Sequence, residues 1–192
     1  MKKLFIIALS VVALVSCKEE NPVTPVETPL SAVIDSNIFA NYTNYQYYSF
    51  ATGDTVPFAD SLTTNWDIAF KGTTVLVNSG TSGPGIGGAI IFDTLFSEVT
   101  TAPTTGYAQD GVTKAIPAGS GNGWYNYDGA TFTITPLAGK VFVIKTATGK
   151  YAKLEFISYY KDAPALPDGL THIARYYTIR YIYQPDGSTK LN

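Results

Sequence analysis

Lys140-Val-Phe-Val-Ile-Lys-Thr-Ala-Thr-Gly-Lys-Tyr-Ala-Lys-Leu-Glu-Phe-Ile-Ser-Tyr-Tyr160 reads as two strands joined by a tight turn. Val141 to Lys145 is β-branched and aromatic, a composition that suits a pleated surface, and Thr148-Gly149 supplies the turn. In the second strand Ala152, Leu154, Phe156 and Ser158 fall on one side, Lys153 and Glu155 on the other. A period of two predicts one face on a core and one in water. Arg175-Tyr-Tyr-Thr-Ile-Arg-Tyr-Ile-Tyr183 alternates in the same manner and stops at the turn residues Pro185-Asp-Gly187.

Working outward, further strands are expected at Gln46–Phe50, Asn65–Phe70, Thr73–Asn78, Ala89–Phe92 and Thr131–Thr135, with the last long one spanning His172–Tyr183. Turn signals at 52–54 and at Lys71-Gly72 separate some of them. No internal repeat of fixed period is visible. The fold expected is therefore all-β, mostly antiparallel, and a single domain over residues 31–192, long enough to bury one core.

The first residues read as an export signal. Lys2 and Lys3 precede an apolar run from Leu4 to Val15, interrupted by Ser10, too short for a permanent span but suited to a signal peptide over residues 1–16. Leu14-Val-Ser-Cys17 resembles a bacterial lipobox, so Cys17 is the expected lipid-attachment residue. Residues 17–30 carry the lipidated cysteine and a Pro-rich stretch through Pro22, Pro25 and Pro29, an extended tether. The order Cys17-Lys-Glu-Glu20 reads either as a plain acidic linker or, by its resemblance to a surface-export signal of lipoproteins in the Bacteroidetes lineage, as the mark of an outer-membrane, surface-exposed location, which is the location expected.

Charge and composition narrow the function. Losing Lys2 and Lys3 lowers 13 basic residues to 11 against 15 acids, a formal charge of −4 that argues against a nucleic-acid partner. Cys17 is the sole cysteine and His172 the sole histidine, and no serine sits in a G-x-S-x-G elbow. Neither H-E-x-x-H nor clustered His/Cys metal spacing occurs, so an enzyme is not expected. Gly83-Pro-Gly-Ile-Gly-Gly88 matches G-x-G-x-x-G, but a strand-like Ala89-Ile-Ile-Phe follows where a dinucleotide site needs a helix. The run is read instead as a loop, structural or closely approached by a ligand. Gly121-Asn-Gly-Trp-Tyr-Asn-Tyr-Asp-Gly129 sets aromatics between glycines, as a binding loop does. The candidate pocket is Trp124 with Gly83, Gly85, Gly87 and Gly88. His172 is either a surface histidine or an iron ligand at a loop mouth.

Asn65-Trp-Asp-Ile-Ala-Phe-Lys-Gly72, Thr73-Thr-Val-Leu-Val-Asn-Ser-Gly80, the glycines to Gly88, the 141–160 hairpin and Tyr176-Tyr-Thr-Ile-Arg-Tyr181 together resemble the HmuY family of Bacteroidetes surface lipoproteins. The resemblance covers most of residues 33 to 190. It implies an all-β domain that captures haem, as cargo, and passes it to an outer-membrane TonB-dependent receptor. It also implies haem iron held between two histidines on mid-chain loops in the founding member, or by methionines in some relatives. This chain departs there, since residues 107–135 contain neither type and the only methionine is Met1. Asp128, near one expected ligand position, is a poor axial ligand. The candidate haem ligands are then Tyr125, Tyr127 and His172, tyrosinate being a known haem ligand type. The other reading is a surface interaction module of the same fold that has lost haem ligation and binds a glycan or a protein partner.

Overall fold

A computed structural model describes residues 29–192; the export signal, Cys17 and nearly all of the tether lie outside the described residues. The strands are β1 (Val33–Phe39), β2 (Gln46–Ser49), β3 (Asp54–Val56), β4 (Ile68–Lys71), β5 (Thr74–Val77), β6 (Gly88–Asp93), β7 (Tyr125–Asp128), β8 (Thr133–Pro136), β9 (Lys140–Lys145), β10 (Tyr151–Tyr160) and β11 (Ala174–Gln184). They form a five-stranded sheet in the order β1-β11-β10-β9-β6, a four-stranded sheet β3-β2-β4-β5, and the hairpin β7-β8. All the paired strands run antiparallel. Among the described residues there is no α-helix, and no helix long and apolar enough to cross a membrane.

The fold is thus the all-β, antiparallel one the sequence predicts, built around the 140–160 hairpin at the centre of the larger sheet. Three strands escaped the sequence reading. β1, Val-Ile-Asp-Ser-Asn-Ile-Phe, loses its alternation at a bulge between Asp35 and Ile38, where Asn37 takes a φ of 63°. β3 is only three residues long, and β7 lies in a Gly- and Asn-rich segment whose composition predicts a loop. The last strand starts at Ala174 rather than His172, and β4 starts at Ile68 rather than Asn65.

One core cluster draws from both sheets: Tyr48, Ile68, Phe70 and Val75 from the smaller, Phe142, Leu154, Phe156, Tyr177 and Ile179 from the larger. The sheets therefore pack face to face. A second cluster covers the other face of the larger sheet, where Val141, Val143, Tyr151 and Ile182 meet Phe96, Val99, Ala102 and Leu191.

That second cluster corrects the expected solvent face of β10. Lys153 lies opposite Val143 and Ile182 and is 2% exposed. Its ammonium donates to the carbonyls of Phe96 (2.9 Å) and Val99 (2.8 Å) and stands 4.5 Å from the Phe96 ring centre. Glu155, next on that face, pairs with Arg180. The alternation along β10 holds, but the segment around Phe96–Ala102, distant in sequence, covers the face that the alternation alone predicts to be wet. Lys153→Met, which keeps the stem and leaves two carbonyls unpaired, is expected to cost about 2–3 kcal/mol in urea unfolding. A loss below about 0.5 kcal/mol would show that the ammonium does not hold this segment.

Strand direction defines two poles. Along β11, Ala174 faces Tyr160 and Gln184 faces Tyr151, so the 161–173 loop and the 146–150 turn lie at opposite ends. Val33 pairs with Tyr181, which puts the chain's entry nearer the turn pole.

Candidate functional site

The loop pole carries the candidate site. Hairpin β7-β8 is pinned by Ser120, whose hydroxyl accepts the Tyr127 N–H at 2.8 Å, and by the Gly121 N–H, which donates to the Tyr125 carbonyl at 2.9 Å. At its tip the Asp128 carboxylate accepts the Ala130 N–H at 2.8 Å, an Asx-type turn that holds this exposed acid below its ordinary pKa. The 161–173 loop is built in the same manner: the Asp168 carboxylate accepts the Leu170 N–H at 2.7 Å. Two contacts join loop to hairpin. The Gly169 N–H donates to the Thr133 hydroxyl at 3.1 Å, and the Ile134 N–H to the Tyr160 hydroxyl at 2.9 Å. Any Cβ at Gly169 would stand 1.9 Å from the Phe132 carbonyl oxygen, so only glycine allows this approach.

Between the two segments opens a cleft of about 650 Å³, lined by Asn126, Asp128, Ala130, Thr131, Thr133, Thr135, Pro167, Asp168 and Leu170. Apolar side chains stand exposed on the same segments: Tyr127 (46%), Phe132 (54%), Leu166, Leu170 and Ile173. Phe132 takes a φ of 54°, a left-handed conformation rare for an aromatic residue. Asn37, Asp162, Ala163 and Arg175 share that conformation, and the Asn37 and Asp162 side chains meet at 3.0 Å. Strain of this kind persists where surrounding structure over-determines it, and it concentrates at functional sites.

The structure distributes the residues predicted for the site. Trp124 is 1% exposed and packs within ring-centre distances of 4.9 Å from Tyr125 and Phe156 and 5.0 Å from Tyr177, with its indole N–H donating to the Thr73 carbonyl at 2.8 Å. It is core, and Tyr125 is buried beside it. The segment 121–129 is therefore a strand entry rather than an open binding loop; only its distal half, from Asn126, reaches the surface.

Gly83, Gly85, Gly87 and Gly88 do not join Trp124 in a pocket. They lie toward the turn pole, beyond the far end of β5 from Thr73. There Gly83 packs on Asn78 and Trp66, Gly85 on Asn78 and Ala147, Gly87 on the Asn78 carbonyl, and Gly88 on Ala108. A Cβ at Gly83 would come within 2.2 Å of Asn78 Oδ1. Asn78 is fully buried, donates to the carbonyls of Thr63 and Trp66, and accepts the Gly85 N–H at 2.9 Å. The glycine run is a close-packed turn around one amide, which explains its composition.

His172 sits at the loop mouth, as expected, outside the strand. Its Nδ1 lies 3.0 Å from the Asp168 backbone nitrogen, which can only donate. The lone pair of Nδ1 is therefore occupied, and the neutral ring carries its proton on Nε2. A metal ion would have to take the Nδ1 lone pair in place of the Asp168 N–H, or take Nε2 with the proton moved to Nδ1, where it would face that N–H. Ligation by His172 requires breaking this loop contact. Tyr127 is the exposed one of the two candidate tyrosines. The residues that sequence reading missed are Phe132, Leu166 and Leu170. Their one signal was large apolar side chains inside a segment otherwise rich in Pro, Asp and Gly. Among the described residues no three His, Cys, Asp or Glu side chains group to hold a metal ion.

Comparison with known proteins agrees with this architecture. A family model described as HmuY protein matches residues 41–181. No curated protein sequence matches the chain. Among solved structures, the apo HmuY analogue of Tannerella forsythia is 20% identical, with a TM-score of 0.57, covering 82% of this chain and 98% of that one. A Bacteroides vulgatus protein, named as a candidate HmuY-like heme-binding protein, is 22% identical with a TM-score of 0.51, covering 79% and 91%. A candidate lipoprotein of Bacteroides fragilis is 18% identical with a TM-score of 0.54, covering 83% and 96%. At these identities the structural likeness concerns the fold.

Proposed function

Because this chain belongs to the HmuY family, we propose that it is a binding protein that captures haem or a related porphyrin at the cell surface. A lipid on Cys17 would hold it to the outer membrane, and a TonB-dependent receptor would take the cargo. The observation that carries this reading is the exposed apolar rim that hairpin β7-β8 and the 161–173 loop present at this pole, Tyr127, Phe132, Leu166, Leu170 and Ile173, of which Leu170 lines the cleft between the two segments. Flat apolar ligands bury their faces against such side chains, and a volume of about 650 Å³ suits a ligand of porphyrin size. The rim lies at the pole away from the chain's entry, so a tether at Leu30 leaves it accessible.

Tyr127 is the axial ligand assigned by this reading, as a tyrosinate on ferric iron, because Tyr125 is core and the His172 ring is committed to Asp168. Titration of the purified domain with haemin should shift the Soret band at micromolar protein. Tyr127→Phe should abolish the tyrosinate-type spectrum while leaving the melting temperature within about 2 °C, as expected for an exposed hydroxyl. No shift with the wild-type domain would overturn the haem reading, and a spectrum unchanged in Tyr127→Phe would overturn the ligand. One observation favours the alternative module that binds a glycan or a protein: the cleft's own walls are polar, with Asn126, Thr131, Thr133 and Thr135. That reading expects signal on glycan arrays or in pull-downs with no haemin shift.

A further inference from the structure

At the turn pole, remote from the haem reading and independent of it, a second cleft of about 550 Å³ opens between the β2-β3 turn, the 57–67 segment and the β9-β10 turn. Its residues are Ser49, Thr52, Asp54, Thr55, Thr64, Asn65, Asp67 and Thr148 on the polar side, with Tyr183, Val56 and Pro57 supplying apolar surface. We propose that this cleft is a binding site for a neutral carbohydrate, a mono- or disaccharide.

The chemistry of the lining selects the class. Hydroxyls, one carboxamide and two carboxylates offer alternating donors and acceptors, the complement of a polyol's hydroxyls. Tyr183 supplies an aromatic ring of the kind that takes the C–H face of a sugar. No Lys, Arg or His lines the cleft, while Asp54 and Asp67 do, so phosphate, sulfate and carboxylate ligands meet repulsion with no counter-charge. The same absence of cations disfavours haem propionates. Two carboxylates fall short of a divalent-cation site of the oxygen-rich kind.

Asp67 gives the cleft a fixed acceptor. It is 6% exposed; one carboxylate oxygen accepts the Phe50 N–H at 2.9 Å and the other the Ala147 N–H at 3.1 Å. These bonds come from the residue that follows β2 and from the β9-β10 turn, so they tie the carboxylate to segments at the ends of both sheets, while each oxygen can accept a second hydrogen bond. Burial pushes its pKa up, against the lowering effect of the two N–H donors. A preorganised carboxylate that takes two neighbouring hydroxyls needs no reorganisation on binding, which limits the entropic cost of a small polar ligand. The exposed neighbours Asn65, Thr64 and Thr52 stand at the mouth, where they reach further ring hydroxyls.

Saturation-transfer NMR on the folded domain with a panel of neutral hexoses, N-acetylhexosamines and their disaccharides tests this. At least one sugar should receive saturation. Its affinity should fall at least about tenfold in Asn65→Ala, the effect of one hydrogen bond of about 1.4 kcal/mol, and vanish in Thr52→Arg, which fills the mouth. Both positions are exposed, so circular dichroism should report unchanged folds, and Tyr127→Phe at the other pole should bind the sugar as wild type does. No transfer to any sugar overturns the proposal. Transfer that survives both Asn65→Ala and Thr52→Arg overturns it equally, and neither outcome bears on haem binding.

Discussion

Above about pH 10 the domain should lose stability steeply and then unfold cooperatively. Four tyrosines with raised pKa values are responsible. Tyr48, Tyr159, Tyr177 and Tyr181 are each 2% exposed or less, and burial is the first cause of the upward shift in all four. The Tyr48 hydroxyl bonds the Tyr181 hydroxyl at 3.3 Å, and Tyr177 donates to the Gly72 carbonyl at 2.9 Å. A raised folded-state pKa means that the folded chain holds its phenolic protons more tightly than the unfolded one. The associated stability is complete below the unfolded value of 10.0 and is lost as pH rises from there toward the folded values.

Each such tyrosine costs about 1.4 kcal/mol per pH unit in that window. Tyr48, Tyr159 and Tyr177, raised furthest, together remove about 4 kcal/mol per unit, against a total stability of about 5–15 kcal/mol for an ordinary domain, and Tyr181 adds to this in the same direction. The unfolding transition is expected between about pH 11 and 12, with phenolate absorbance and loss of circular dichroism rising together. Ionisation of these tyrosines near pH 10 with the fold intact would show that they are open to solvent.

Trp124→Ala should lower stability by about 4 kcal/mol, the usual range for removing a buried tryptophan, and the melting temperature by about 10 °C. The indole contacts Tyr125, Phe156, Tyr159 and Tyr177 at ring-centre distances of 4.9, 4.9, 5.6 and 5.0 Å, so its loss opens a cavity at the meeting point of both sheets and the hairpin. It also leaves the Thr73 carbonyl without its donor. The same substitution separates two roles for the 121–129 segment. A wall residue of a binding site would lose ligand and keep stability; a core residue loses stability first. A melting temperature within about 2 °C of wild type would return Trp124 to the binding surface.

The strands legible in the sequence were those whose side chains alternate without interruption. β9, β10 and β11 were placed within two residues because Val, Ile, Phe and Tyr repeat at period two between clear turns. β1 was not, because its bulge at Asn37 breaks the period, and β7 was not, because Gly and Asn around Trp124-Tyr125 have the composition of a loop. The candidate site was legible only in part. Of the three candidate haem ligands, the structure leaves Tyr127 exposed and His172 at a loop mouth, and buries Tyr125. Trp124 and the glycines were joined on chemical character alone, and character does not report distance.

The sequence by itself determined the antiparallel β class, the central hairpin, the family and the shortage of iron ligands, because each of these depends on residue type and local period. The tertiary structure decided which faces are wet and which residues meet. The second face of β10 is dry because the Phe96–Ala102 segment returns over it and gives Lys153 two carbonyls. The imidazole of His172 is committed because Asp168, four residues earlier, turns its N–H back onto Nδ1. The glycines face Asn78 and Trp124 faces Thr73, at opposite ends of one short strand, β5. The Lys153 and Trp124 contacts depend on how chain segments far apart in sequence close on each other, which no local pattern of side chains encodes. The short-range ones at His172 and Asn78 depend on backbone turns that residue types alone do not fix.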